Sequence, residues 1–239
     1  EKQIISPANN QSIVGIFQDS LLGANLFTRK DIKFDTRTAM NFMMNISNFN
    51  LNIFQNPETF LKNFDILSLI IPSITIKYST SSFDETKEKK KTSNNILEIK
   101  NGIYKRGKID KSVLGGASKG LIQRIYNNYN CRTAANFIDN IQALINDYMK
   151  LSSFSVGISD LIANDETNEQ IINIIIDKKK QVKNLIHQIQ LGVFENNTGK
   201  TNEEEFESKV NTILNNARNE ASKIGRASLS SDNRFLTMV

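Results

Sequence analysis

The chain has 239 residues, a formal net charge of +5, 39% hydrophobic residues and 23% charged residues. That length accommodates one large or two modest domains with a buried core, and no apolar run approaches the roughly 20 residues that cross a bilayer. Cys131 is the single cysteine, which excludes an intrachain disulfide and suits a reducing compartment; the pI of about 9.2 permits an anionic partner without demanding one.

The first half is punctuated. EKQIISPANN has neither an initiating Met nor the regions of a signal peptide, and it reads as the start of a fragment. PANNQS predicts a turn, and IVGIFQDSLLGANLFT gathers apolar residues around Gly15 and Gly23. DTRTAMNFMMNI predicts a helix with Asp35 or Thr36 as N-cap and Ala39, Phe42, Met43 and Ile46 on one face. Pro57 predicts the opening of a short helix, PETFLKNF, where a missing N–H costs nothing. SITIKYS alternates with period two. ETKEKKK, residues 85 to 91, mixes acids with its lysines between Ser, Thr and Asn neighbours, and reads as a solvated hairpin tip more than a nucleic-acid patch. In LEIKNGIYKRG, Asn101-Gly102 between alternating runs predicts a type I′ hairpin, whose central residues need φ > 0.

From Thr133 the period becomes 3.6. Ala134, Phe137, Ile138, Ile141, Leu144, Ile145, Tyr148 and Met149 form one stripe. The next segment, SFSVGISDLIANDETNEQ (153–170), is apolar enough to be buried yet is broken by Gly157, Ser159, Asp160 and Asn164. Thr167 with Gln170 predicts a capping box opening a second long helix, with Ile172, Ile175, Val182, Ile186, Ile189 and Val193 as its apolar positions. Thr201 with Glu204 predicts another box and a third helix through Phe206, Val210, Ile213, Leu214, Ala217 and Ala221. Short connections favour antiparallel packing of the last two helices. The fold class is therefore α+β: a mixed domain with β-hairpins, then a helical hairpin.

No local chemistry announces itself. His187 is the sole histidine and has Lys183 and Gln190 as helical neighbours, as a surface residue would. GGASKG (115–120) lacks the spacing of a P-loop. The acids are scattered, without the tight Asp cluster that would hold catalytic Mg²⁺.

Four segments in order do carry a resemblance: SPANNQSIVGIFQDSLLGANLFT, GKIDKSVLGGASKGLIQRIY, SFSVGISDLIAND and VNTILNNARNEAS. Together they resemble the largest subunit of multisubunit DNA-dependent RNA polymerase, of the eukaryotic, archaeal and large-DNA-virus type. The resemblance implies a pore domain over residues 1–163 and the first part of a funnel domain over 164–239. It also implies that the Mg²⁺-binding NADFDGDE motif precedes this stretch and an AGSKG segment follows it. The fragment would then belong to a nucleotidyltransferase while lacking the metal ligands, and it would need no cofactor of its own. The sequence departs from the family's common pattern at Ser112, Lys119, Gln123 and Ser159.

In that family the region walls the secondary channel, which admits NTPs and receives backtracked RNA. Motif match places Gln18, Asp19, Lys111 and Lys119 toward the pore, with Lys111 as a phosphate-facing charge and Gln18 as a hydrogen-bonding group. The residues themselves leave open that Gln18 and Asp19 simply order the IFQDSLLG turn. Asn215 and Arg218, in LNNAR, would lie near the bridge helix. Implied partners are the other polymerase subunits, above all the second-largest, with RNA, NTPs, template DNA and a transcript-cleavage factor at the funnel; no membrane is implied. The setting would be the nucleus for a cellular eukaryotic parent, or a viral factory or virion for a large DNA virus. The competing reading is an independent helical RNA-binding or protein-interaction module.

Overall fold

The computed structural model describes residues 3–46, 54, 60–86, 88–196, 198–230 and 233–238. The chain divides into two compact units, Glu1–Phe154 and Ser155–Val239.

The first unit opens with a hairpin, β1 (Ile5–Ser6) and β2 (Gln11–Ser12), followed by helix α1 (Gln18–Phe27). Strand β3 (Lys33–Phe34) leads into α2 (Thr36–Met43), whose N-cap is Asp35; the Asp35 carboxylate accepts the Thr38 amide, and hydrogen bonding to Thr38, first to its side chain and then to its amide, holds the Asp35 pKa below the usual carboxylate value. The helix expected from Pro57 begins outside the described residues. Where it was expected to continue, Leu61–Lys62 form a strand, β4, antiparallel to β3, and the helix α3 starts only at Asn63 and runs to Ile70. Tertiary bonds explain the difference. Leu61 is buried opposite Phe34, and the Asn63 side-chain amide, itself buried, donates to the carbonyls of Phe27 (2.6 Å) and Arg29 (2.8 Å).

Strands β5 (Ile76–Ser79), β6 (Ile96–Lys100) and β7 (Ile103–Arg106) make an antiparallel meander. Asn101 and Gly102 have φ of 51° and 79°, as the predicted turn requires. Short helices α4 (Lys111–Leu114) and α5 (Leu121–Asn128) precede α6 (Cys131–Ser152). The α6 helix starts two residues before Thr133 because Asn130 caps it, accepting the Thr133 amide at 2.7 Å. Cys131 is thus half-buried in the first turn and not a core residue.

The expected α6 stripe is the spine of the core: Ala134, Phe137, Ile141, Leu144, Ile145 and Tyr148 are buried, and Ile138 and Met149 pack at its edge. Tyr148 meets Phe27, Phe34 and Phe42 in one aromatic cluster, with Phe27–Tyr148 and Phe34–Phe42 edge-to-face at 5.1 Å.

In the second unit, α7 (Asp165–Gln190) and α8 (Asn202–Ser228) pair antiparallel: Lys178 reaches Glu220 at 3.1 Å, while Gln188 lies across from Glu205 at the other end. A short helix, α9 (Arg234–Met238), follows. The start of α7 lies ahead of the expected capping box, since Asn164 accepts the Thr167 amide and Thr167 is buried in the first turn. The connecting stretch is not buried as its composition implied: Ile158 is 83% exposed. It is held locally instead, Asp160 accepting the Gly157 amide at 2.9 Å and, through its carbonyl, the Asn233 side chain at 2.9 Å.

The inward side of α7 also differs from expectation. Its half-buried residues are Ile171, Ile174, Lys178, Val182 and Leu185, whereas Ile172, Ile175, Ile186, Ile189 and Val193 are exposed. Helix α8 begins where its box was expected, with Thr201 and Glu204 bonding reciprocally. Thr201→Ala is expected to cost about 1 kcal/mol of unit-2 stability, seen as loss of helical circular dichroism at lower urea with the unit-1 transition unmoved.

Candidate functional site

Two segments far apart in sequence meet in the first unit. The Ile16 amide donates to the Leu114 carbonyl at 2.9 Å, which brings the chain entering α1 against the end of α4. Around that junction Phe17, Ser81, Lys111, Ser112, Gly116 and Ala117 line a cavity of 380 Å³. Lys111, the first residue of α4, is exposed.

Asp110 organises this junction. Its carboxylate accepts the Ser112 amide (3.0 Å) and hydroxyl, capping α4, and with its other oxygen the Ser81 amide (2.9 Å) and hydroxyl (2.6 Å). The segment before it is anchored to α1. The Ile109 amide donates to the Thr28 hydroxyl at 2.9 Å, and the Asn25 side chain donates to the Ile109 carbonyl at 3.0 Å. One helix therefore carries the Phe17 edge of the cavity at its start and fixes the approach to Lys111 at its end.

The expected residues distribute as follows. Gln18 is exposed, with φ of 51°, and opens α1; Asp19 is exposed in the first helical turn, where a carboxylate suits the helix dipole. Both adjoin Phe17 in sequence, and neither lines the cavity. Lys119 is exposed in the turn before α5, its carbonyl accepting the Arg124 guanidinium at 3.3 Å, and is also outside the cavity lining. Asn215 and Arg218 are exposed on α8 in the other unit, three residues apart and hence on one helical face. Gln123 is a buried strut: it is 3% exposed and donates to the Asn10 carbonyl (2.9 Å) and side chain (3.0 Å), bracing the β1–β2 hairpin.

Phe17, Ser81 and Asp110 went unnoticed in the sequence. An Asp immediately before KSVL was a readable N-cap signal; Ser81, 29 residues away, had none. Next to the cluster, Tyr78 lies under the Arg124 guanidinium at 5.5 Å, and burial, aided by the Asp110 charge, pushes its phenol pKa upward. Among the described residues, no group of three or more His, Cys, Asp and Glu could hold a metal ion, and no helix is long and apolar enough to cross a membrane.

The sequence of residues 3–161 matches the family model described as RNA polymerase Rpb1, domain 3. The chain belongs to the Rpb1 family. It is also similar to the DNA-directed RNA polymerase II subunit RPB1-B of Trypanosoma brucei brucei, at 26% identity over 240 aligned residues. That alignment covers 100% of the chain and 13% of the relative, so the chain spans about an eighth of that subunit. It is thus part of an Rpb1 largest subunit of RNA polymerase. The Rpb1 match takes in the Phe17–Lys111 junction, and the alignment with the trypanosome relative extends through α7 and α8.

Proposed function

We propose that this Rpb1 segment walls the secondary channel of its polymerase, with residues 1–163 as the pore domain and 164–239 as the start of the funnel. The observation that carries this reading is the junction of residues 16–17 with 110–117, which puts an exposed lysine in the lining of a cavity next to Phe17. An ammonium held there attracts phosphates without reading bases, an effect that salt screens. Lys111 would meet the phosphates of an entering NTP or a backtracked RNA 3′ end. Gln18, Asp19 and Lys119 would border the path, Gln18 donating or accepting hydrogen bonds.

In the same reading Asn215 and Arg218 face the bridge-helix side, where the planar guanidinium makes paired hydrogen bonds that a lysine cannot reproduce. The α7–α8 pair offers its outer surface to a transcript-cleavage factor. The other polymerase subunits, above all the second-largest, are its standing partners, and template DNA and RNA are met in the whole enzyme. Nucleotidyl transfer belongs to that assembly. In this reading the catalytic Mg²⁺ is held by other residues of the parent enzyme. The nucleus is the setting for a cellular eukaryotic parent, a reading that the likeness to a eukaryotic polymerase II subunit supports, and a viral factory or virion is the setting if the parent is viral.

The test is Lys111→Ala in the assembled polymerase. Cleavage of backtracked RNA and release from pauses should slow by up to about five-fold, the effect of about 1 kcal/mol from an exposed charge contact, with promoter binding unchanged. Unaltered cleavage, pausing and NTP dependence would refute the role.

A further inference from the structure

The lysine-rich run at 85–91 lies in the loop that joins the antiparallel strands β5 and β6, and its described residues are mostly exposed, yet the loop is tied back to the sheet. Glu88 pins it from within, accepting the Ser93 hydroxyl and, at 2.6 Å, the Asn95 side-chain amide. Arg106 on β7 pins it from the sheet, donating to the carbonyls of Lys91 and Ser93. Lys30 adds a third tether by donating to the Thr92 carbonyl at 3.1 Å.

Between loop and sheet lies a cavity of 610 Å³, lined by Lys77, Tyr78, Ser79, Lys90, Lys91, Ile96 and Arg106. Four cations and no carboxylate contribute to that lining. The nearby acids are already engaged. Glu98 stands between Lys77 and Arg106 across the strands, 3.6 Å from the first and 2.9 Å from the second, and the Arg106 hydrogen bond, foremost among its interactions, holds its pKa below the usual value. Glu85 pairs with Lys90 at 2.6 Å. Arg106 is fully occupied in holding Glu98 and the loop. Lys77 and Lys90, each paired on one side with a glutamate yet with side chains more than 60% exposed, and the exposed Lys91 present their ammonium groups to a ligand on long, adaptable stems.

We infer that this cavity is a phosphate-binding site, separate from the Lys111 cavity. Its volume falls in the range of roughly 300–1,000 Å³ typical of small-ligand pockets, and three ammonium groups around one concavity suit a multiply charged oxyanion. The phosphate could be that of a free nucleoside triphosphate or of an RNA strand. The site does not depend on the channel reading: Lys111 plays no part in it.

The experiment uses the full chain at low salt, with fluorescence anisotropy of a short labelled oligouridylate and equilibrium dialysis of uridine triphosphate. Two triple variants remove the same charge: Lys77→Gln, Lys90→Gln, Lys91→Gln at the site, and Lys179→Gln, Lys180→Gln, Lys183→Gln on exposed positions of α7. The site variant is expected to bind roughly tenfold more weakly. For the RNA strand it should also reduce the slope of log affinity against log salt by about 2, the value for three single-strand phosphate contacts. The α7 variant should bind as the unsubstituted chain does. Weakening confined to the triphosphate assigns a free nucleotide, and weakening that includes the strand assigns RNA. Absence of binding by the unsubstituted chain, no loss in the site variant, or equal loss in both variants would overturn the inference.

Discussion

Phe27→Ala is expected to lower the stability of the first unit by about 3–5 kcal/mol, the range for deleting a buried phenyl group. The ring is 1% exposed and touches three other aromatic rings, stacked on Phe34 at 5.6 Å and edge-on to Phe42 at 6.4 Å and Tyr148 at 5.1 Å. Those partners come from β3, α2 and α6, so no single side chain can collapse into the space without losing its own contacts. Phe27 also ends α1, one residue before Thr28, whose hydroxyl holds Ile109 next to Asp110. A shift of that helix end would therefore reach the Lys111 cavity. Thermal unfolding followed by near-ultraviolet circular dichroism should show a fall of roughly 10 °C for the first unit. A fall of under two degrees would mean that the aromatic cluster is not the keystone of this core.

Gly107→Ala should be nearly as damaging, although it adds one methyl group. Gly107 has φ of 125°, which side-chain-bearing residues rarely adopt, and an added Cβ would lie 2.6 Å from the Leu97 Cα and 2.9 Å from the Ile96 carbonyl. Both are backbone atoms of the central strand, so neither can step aside. Sparse backbone conformation and overpacking each cost about 1–3 kcal/mol, and a combined loss of about 3 kcal/mol or more is expected in urea unfolding. The buried Tyr104 hydroxyl donates to the Gly107 carbonyl at 2.7 Å, and the neighbouring Lys108 amide donates to the Asn94 carbonyl at 2.6 Å. The substitution thus also loosens the 84–95 loop. A loss below 1 kcal/mol would show that the strand and loop can yield at this point.

The elements that were legible in the sequence are those fixed by local chemistry. The α6 stripe, the Asn101-Gly102 turn, the Asp35 cap and the Thr201 box depend on neighbours within one helical turn or one hairpin. The inward side of α7 was not legible for a specific reason. QIINIII supplies isoleucine at 171, 172, 174, 175 and 176, so the apolar arc is wider than one partner helix covers and periodicity cannot choose its centre. Strand β4 escaped because two residues pair with a strand 28 positions earlier, a bond that no local pattern announces. The residues proposed to border the channel were singled out only through family resemblance. The cationic cavity required knowing that Lys77, Glu98 and Arg106 come into line, which depends on the register and on the irregularity between Glu98 and Ile99. The loop lysines in turn depend on the backbone bonds made by Arg106.

The second unit has a contrasting economy. Among its described residues only Thr167 and Glu205 are buried, and both are polar. Glu205 is held by Thr198 at 3.0 Å and lies 3.6 Å from Lys209. With no sealed aliphatic interior, most positions along these two helices can change identity without a folding penalty. Mutational drift there should change the chemistry of the helices' surface faster than whether they pair, while the aromatic-centred unit that precedes them in the chain tolerates far fewer replacements.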